Sequence, residues 1–113
     1  MTSYNMKLRT KYFDCIKNGS KRIELRLNDE KRKLLKEGDI IEFTNRLNDE
    51  TLLVIVEKLY KYNSFEELYN NLDKLSLGYG EDDVADPKDM EQYYSQEEQS
   101  KYGVVGIEIE VIE

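Results

Sequence analysis

The sequence predicts an α+β fold: a small β-barrel of about five mainly antiparallel strands with flanking helices. Three observations lead there. Apolar and polar residues alternate in several short runs, most cleanly at Val105, Ile107, Ile109 and Val111, with Glu108 and Glu110 between them. Glycine, Asn-Gly and Asp-Pro steps separate those runs from segments with helical spacing. The resulting element order is β-α-β-(α)-β-β-α-α-α-β. A sheet of this size is expected to curl and close, because closure removes exposed strand edges.

Each element has its own signal. Met1 to Asn5 is expected to be a frayed start. Met6-Lys7-Leu8-Arg9 alternates as a short strand, and Thr10 is placed to cap a helix from Lys11 to Asn18. That helix sets Tyr12, Phe13, Cys15 and Ile16 on one stripe, and Gly19 can take the left-handed conformation that ends it. A strand follows from Lys21 to Leu27. Asn28 or Asp29 can cap a short surface helix whose Leu34 and Leu35 dip inward. Gly38-Asp39 turns the chain into Ile40 to Thr44, with Ile41 and Phe43 on one face, and Asn45 to Thr51 is a polar turn. Leu52 to Tyr62 reads as a long strand, buried in its first half. Ser64 and Glu67 form a capping-box pattern ahead of the Phe65, Leu68, Tyr69, Leu72 stripe. Leu75 to Asp86 reads as a loop. Pro87 opens a helix carrying Met90, Tyr93 and Tyr94, and Ser95 with Glu98 opens another that Gly103 closes. The last strand runs from Val104 to Glu113.

At 113 residues the chain is expected to be one domain, residues 1–113. No apolar run approaches the length needed to span a bilayer, and Met1 to Met6 has no apolar signal core, so the expected location is the cytoplasm. With one cysteine and no histidine, an internal disulfide and a His/Cys zinc site are excluded, and the commonest general base is missing. No cofactor and no metal are implied. The Glu81-Asp82-Asp83 run reads as a solvated loop without calcium-loop spacing, and Cys15 as a small core residue. The net charge of −7 argues against broad nucleic-acid binding, but it is unevenly spread. Residues 1–46 hold 12 Lys/Arg against 7 Asp/Glu, and residues 47–113 hold 5 against 17. A small or structured anionic ligand is therefore expected at the first part.

The first part contains Gly19-Ser20-Lys21-Arg22-Ile23-Glu24-Leu25-Arg26. On a strand, Ile23 and Leu25 share one face and Arg22, Glu24 and Arg26 the other. Charges of both signs on one short strand are costly to bury unless paired. The octet fits G-x-K-x-x-E-x-R and resembles the motif of the ASCH domain family, which is PUA-like in fold. The resemblance extends to Gly38-Asp39 and to Tyr93-Tyr94-Ser95 through Tyr102-Gly103-Val104-Val105-Gly106. It implies a PUA-like barrel and a groove beside the motif for RNA or a modified nucleoside or nucleotide. Lys21 offers an ammonium for phosphate or carbonyl, Arg26 a planar fork, and Glu24 an acceptor or a clamp on Arg26. Tyr79, Tyr93, Tyr94 and Tyr102 lie near glycines or helix ends, where rings can stack on bases. Plainer accounts stand beside these: a Glu24–Arg26 pair that sets register, a solvated Lys21, tyrosines as packing. Some members of the family are amidohydrolases acting on N4-acylated cytidine, with the motif lysine, a threonine three residues on and a distant glutamate. Here Lys21 matches, Glu24 replaces the threonine, and Glu81 or Asp82 would have to stand for the glutamate. As an amidohydrolase, Lys21 and Glu24 would be the catalytic pair; metal-independent RNA cleavage, reported for other members, could instead use Lys, Arg and Tyr. A third reading has the acidic part binding a basic protein.

Overall fold

A computed structural model describes residues 3–112; Met1, Thr2 and Glu113, at the ends of the expected frayed start and last strand, lie outside it. The strands are β1 (Ser3–Leu8), β2 (Ile23–Leu27), β3 (Ile40–Asn45), β4 (Thr51–Tyr62) and β5 (Val104–Val111). The helices are α1 (Thr10–Lys17), α2 (Phe65–Asn71) and α3 (Gln96–Tyr102), and 3-10 turns cover Arg32–Leu34 and Pro87–Gln92. The fold is α+β, with the sheet ordered β1-β3-β4-β5-β2 and curled into a half-barrel. Three of its neighbour pairs are antiparallel, as expected; β1 and β3 run parallel.

β4 holds this sheet together. Its first half pairs with β3 and Val54 to Tyr62 with β5, with a bulge between Val56 and Lys58. Leu52, Val54 and Val56 face inward and are buried. β5 is more deeply covered than its alternation suggests, since Val104 through Ile107 are all buried. The reason is position: β5 lies between β4 and β2 and feeds two cores. Val105, Ile107 and Ile109 join Phe13, Ile16, Ile41 and Phe43 in one. Val104 joins Ile23, Leu25, Leu27, Phe65 and Leu68 in the other. Gly106 admits this second layer, because a Cβ there would sit 3.1 Å from Ile23 Cγ2.

Several local expectations change. The strand expected at Met6 starts at Ser3, whose pairing with Ile40 orders the segment. Thr10 does not cap α1; Arg9 occupies that position, and the Thr10 hydroxyl instead donates to Asn45 Oδ1 at 2.9 Å. The surface helix shrinks to one 3-10 turn whose Leu34 is exposed, and Leu35 just after it is buried. Gly19 does take a left-handed φ of 86° after α1. Both expected serine caps are present, with Ser64 Oγ accepting from Glu67 N and Ser95 Oγ from Glu98 N.

β1 and β2 are the two edges of the sheet and face each other across an open seam. Two devices span it. Helix α1 connects the strands, and Arg26 of β2 donates through Nη2 to the Lys7 carbonyl of β1 at 3.1 Å. On the far side, Gln99 of α3 is 2% exposed; its Oε1 accepts from Phe65 N at 3.1 Å and its Nε2 donates to Tyr94 O at 3.3 Å. This amide ties α2, α3 and the segment carrying Tyr94. Gln99→Leu keeps the volume but strands two backbone groups, and is expected to cost about 1–3 kcal/mol of stability in urea unfolding.

Candidate functional site

Lys21, Glu24 and Arg26 converge on one point. After the Gly19 turn the Lys21 N–H donates to Cys15 O at 3.0 Å, which fixes Lys21 just before β2. Glu24 and Arg26 lie two apart on β2 and so share a face. Lys21 Nζ is 3.2 Å from Glu24 Oε1, and Arg26 Nε is 2.9 Å from Glu24 Oε2. Each carboxylate oxygen thus faces a different cation. The side chains of Lys21, Glu24 and Arg26 are only 6%, 7% and 13% exposed. Burial alone pushes the Glu24 carboxyl upward, but the charges and hydrogen bonds of Lys21 and Arg26 outweigh it and hold the group below its ordinary pKa. Arg22 does not join them. Its side chain is exposed and donates to Ser76 Oγ at 2.9 Å.

The three heads form part of the lining of a cleft of about 600 Å³. Tyr79, Tyr93 and Tyr94 line it too, so six of the seven residues singled out by motif and position meet in one hollow. Gly78 arches over the Lys21 stem with φ 102°; a Cβ there would approach Lys21 Cδ to 3.3 Å. The ammonium also lies over the Tyr12 ring, 4.7 Å from its centre. Tyr12 and Tyr93 share a hydroxyl hydrogen bond of 2.9 Å, and the Arg9 guanidinium covers the Tyr93 ring at 5.3 Å. Tyr79 bonds to Tyr69 at 2.9 Å and donates to Asp89 Oδ2 at 2.7 Å. Burial, foremost, and these hydroxyl partners raise Tyr12 and Tyr79 well above the ordinary tyrosine value. Burial likewise raises Tyr94. Tyr12, Tyr79 and Tyr94 are therefore neutral donors and ring surfaces at physiological pH, not phenolate bases.

Other expected neighbours lie elsewhere. Tyr102 packs against the second core, away from the cleft lining. Neither Glu81 nor Asp82 lines the cleft. Asp83 does, with its carboxylate accepting from Gly80 N at 2.7 Å. Cys15 is half-buried on the cleft wall rather than in the core. The structure adds Tyr12, which its helical stripe had assigned to the core, and a set of cations. Lys7, Arg9, Lys11 and Arg46 stand on the cleft beside Lys21 and Arg26. All six come from the basic first 46 residues, so the charge asymmetry was the signal that could have found them.

The ASCH domain family model matches residues 6–113. The chain belongs to the ASCH domain family. No curated protein matches it. Among solved structures, one crystallised hypothetical protein is 36% identical with a TM-score of 0.83, covering 98% of this chain and 100% of its own. A protein of Pyrococcus furiosus, solved by NMR in solution, is 34% identical with a TM-score of 0.77, covering 99% of each chain. The ASCH domain of Lactobacillus crispatus is 17% identical with a TM-score of 0.65; it covers 97% of this chain and 79% of its own, and shares the fold. Among the described residues of this ASCH chain, no helix is long and apolar enough to cross a membrane.

The Glu24 pairing has a pH signature. Its folded pKa lies below the ordinary 4.5, so its contribution to stability is complete above that value and is lost as pH falls through the lower folded one. Urea midpoints followed from about pH 6 down to about pH 2 are expected to drop in acid. In Glu24→Gln the share of that drop due to this group should vanish. At neutral pH the variant should be less stable by about 3–5 kcal/mol, since two buried cations lose their counter-charge.

Proposed function

We propose that the cleft binds RNA or a modified nucleotide, one nucleotide unit sitting against its tyrosines and its phosphate meeting the surrounding cations. One observation carries this reading. A chain of net charge −7 gathers Lys7, Arg9, Lys11, Lys21, Arg26 and Arg46 on a single tyrosine-lined hollow, against only Glu24, Asp83 and Asp89. Cations beside ring faces are what a base with an attached phosphate requires. In this reading Glu24 is a clamp. Both its oxygens are engaged, so it holds Lys21 and Arg26 in place and leaves their remaining N–H groups to donate to phosphate or carbonyl oxygens. Tyr79, Tyr93 and Tyr94 supply stacking surface, and the Tyr12–Tyr93 bond stiffens one wall.

Hydrolysis of N4-acylated cytidine would ask Glu24 to take a proton from water with Lys21 as helper. A general base works best with a pKa near the working pH, and the two cations move Glu24 the other way. The arrangement therefore favours recognition over Glu24-driven catalysis.

Calorimetric titration with a nucleoside 5′-monophosphate and with a short single-stranded RNA tests the reading. Lys21→Ala removes a charged donor worth about 1.5–3 kcal/mol, so affinity is expected to fall by about 10- to 100-fold. Tyr93→Leu should weaken binding through lost stacking, by about 1–3 kcal/mol. Equal binding by native protein and Lys21→Ala would remove the motif from the function. Turnover of N4-acetylcytidine that survives in native protein and disappears in Glu24→Gln would favour the enzyme.

A further inference from the structure

The cleft is electrically lopsided. Its cationic side is built by the end of β1, the start of α1 and the turn after β3, which supply Lys7, Arg9, Lys11 and Arg46. Residues 81–91 bring acid to the cleft, with Asp83 and Asp89 on its lining. That segment carries Glu81, Asp82, Asp83, Asp86, Asp89 and Glu91 against Lys88 alone. Its main chain and three of its carboxylates, those of Asp83, Asp86 and Asp89, are held in place. The Lys74 ammonium donates to the carbonyls of Glu81 at 2.8 Å and Asp83 at 2.6 Å, Asp86 caps the turn at Pro87, and Asp89 is bonded to Tyr79. The lining holds six cations and three carboxylates, a surplus of three; with the whole chain at −7, everything outside the cleft carries −10.

A polynucleotide laid through such a cleft would have to leave across fixed carboxylates or along a strongly acidic surface, at a charge per nucleotide that repels both. A volume of about 600 Å³ suits a small-molecule ligand rather than a strand. Resting on the reading proposed above, we infer that the cleft takes a single terminal nucleotide, either a free mononucleotide or the phosphorylated end of an RNA, and does not accept the interior of a strand. The phosphomonoester lies toward Lys7, Lys11 and Arg46, and the ring lies toward Tyr79 and Tyr94. A terminal phosphomonoester carries up to two negative charges where an internal diester carries one, which matches the surplus of cations on the lining.

Affinity measured against ligand length and salt tests this. The probes are a nucleoside 5′-monophosphate, tetra- and octanucleotides with a 5′-phosphate, the same oligomers with a 3′-phosphate, and the same oligomers with both ends unphosphorylated. End capture predicts that the mononucleotide and the best end-phosphorylated oligomer bind within about threefold of each other. Both should show a log–log salt slope of about −1 to −2, since only the terminal charges are engaged. Unphosphorylated oligomers should bind at least tenfold more weakly. A preference for the free mononucleotide over every oligomer assigns the site to nucleotides; parity with one phosphorylated end assigns it to that RNA terminus. Affinity that climbs with length, with a slope that steepens in step, overturns the inference and leaves the nucleotide-binding reading standing. Absence of binding by every probe removes that reading itself. A second variant tests the wall. Glu81, Asp82 and Glu91 are exposed and lie off the cleft lining. Combined Glu81→Gln, Asp82→Asn and Glu91→Gln should raise octanucleotide affinity by about tenfold and leave the mononucleotide unchanged. Octanucleotide affinity that does not move in the variant would mean the acidic wall is no barrier, against the inference.

Discussion

A carboxylate set between an ammonium and a guanidinium, almost out of reach of water, holds the two edges of this sheet in relation. Glu24 engages Lys21 through one oxygen and Arg26 through the other. Arg26 then reaches past it to a backbone carbonyl on β1. A half-barrel with an unpaired seam has no hydrogen-bond ladder to keep its edges at a fixed distance. Here a side chain crosses the gap, and its position depends on a buried counter-charge. Remove the carboxylate and the guanidinium loses the partner that offsets its desolvation.

The same trio lines the cleft, so what fixes the seam also shapes the hollow. This explains why a charged motif is buried on a small domain where most charge stays wet. The tyrosines extend that economy of parts. Tyr94 stacks on Phe65 of the second core at 5.8 Å while lining the cleft. Tyr79 packs toward the same core, and Tyr12 sits on the helix that bridges the seam. Packing and binding surface are two faces of the same rings, so the choice between core tyrosine and base platform is not exclusive here.

Much of this was legible beforehand. Period-two alternation placed the strands, the serine caps and Gly19 placed helix ends, and the G-x-K-x-x-E-x-R octet located the trio. What escaped was non-local. No residue in Ser3–Leu8 announces a parallel partner 37 positions later, and nothing marks Arg26 as reaching Lys7. Thr10 has the chemistry of a cap but lies one residue inside the helix, where its hydroxyl donates to Asn45 Oδ1. Arg9, Lys11 and Arg46 look like ordinary surface cations until the fold brings the end of β1 and the turn after β3 to the same rim. Tyr12 satisfies a helical apolar stripe and a cleft wall equally well, and only the direction of its hydroxyl toward Tyr93 separates them.

Gly78 carries no functional group, yet the direction of the Lys21 ammonium depends on it. Its backbone lies against the lysine stem in a conformation that side-chain-bearing residues rarely adopt. Any replacement would have to strain the main chain and shoulder the stem aside together. In a mutational library, position 78 would then mimic a lesion at position 21: the lysine intact in sequence, its charge displaced from the hollow.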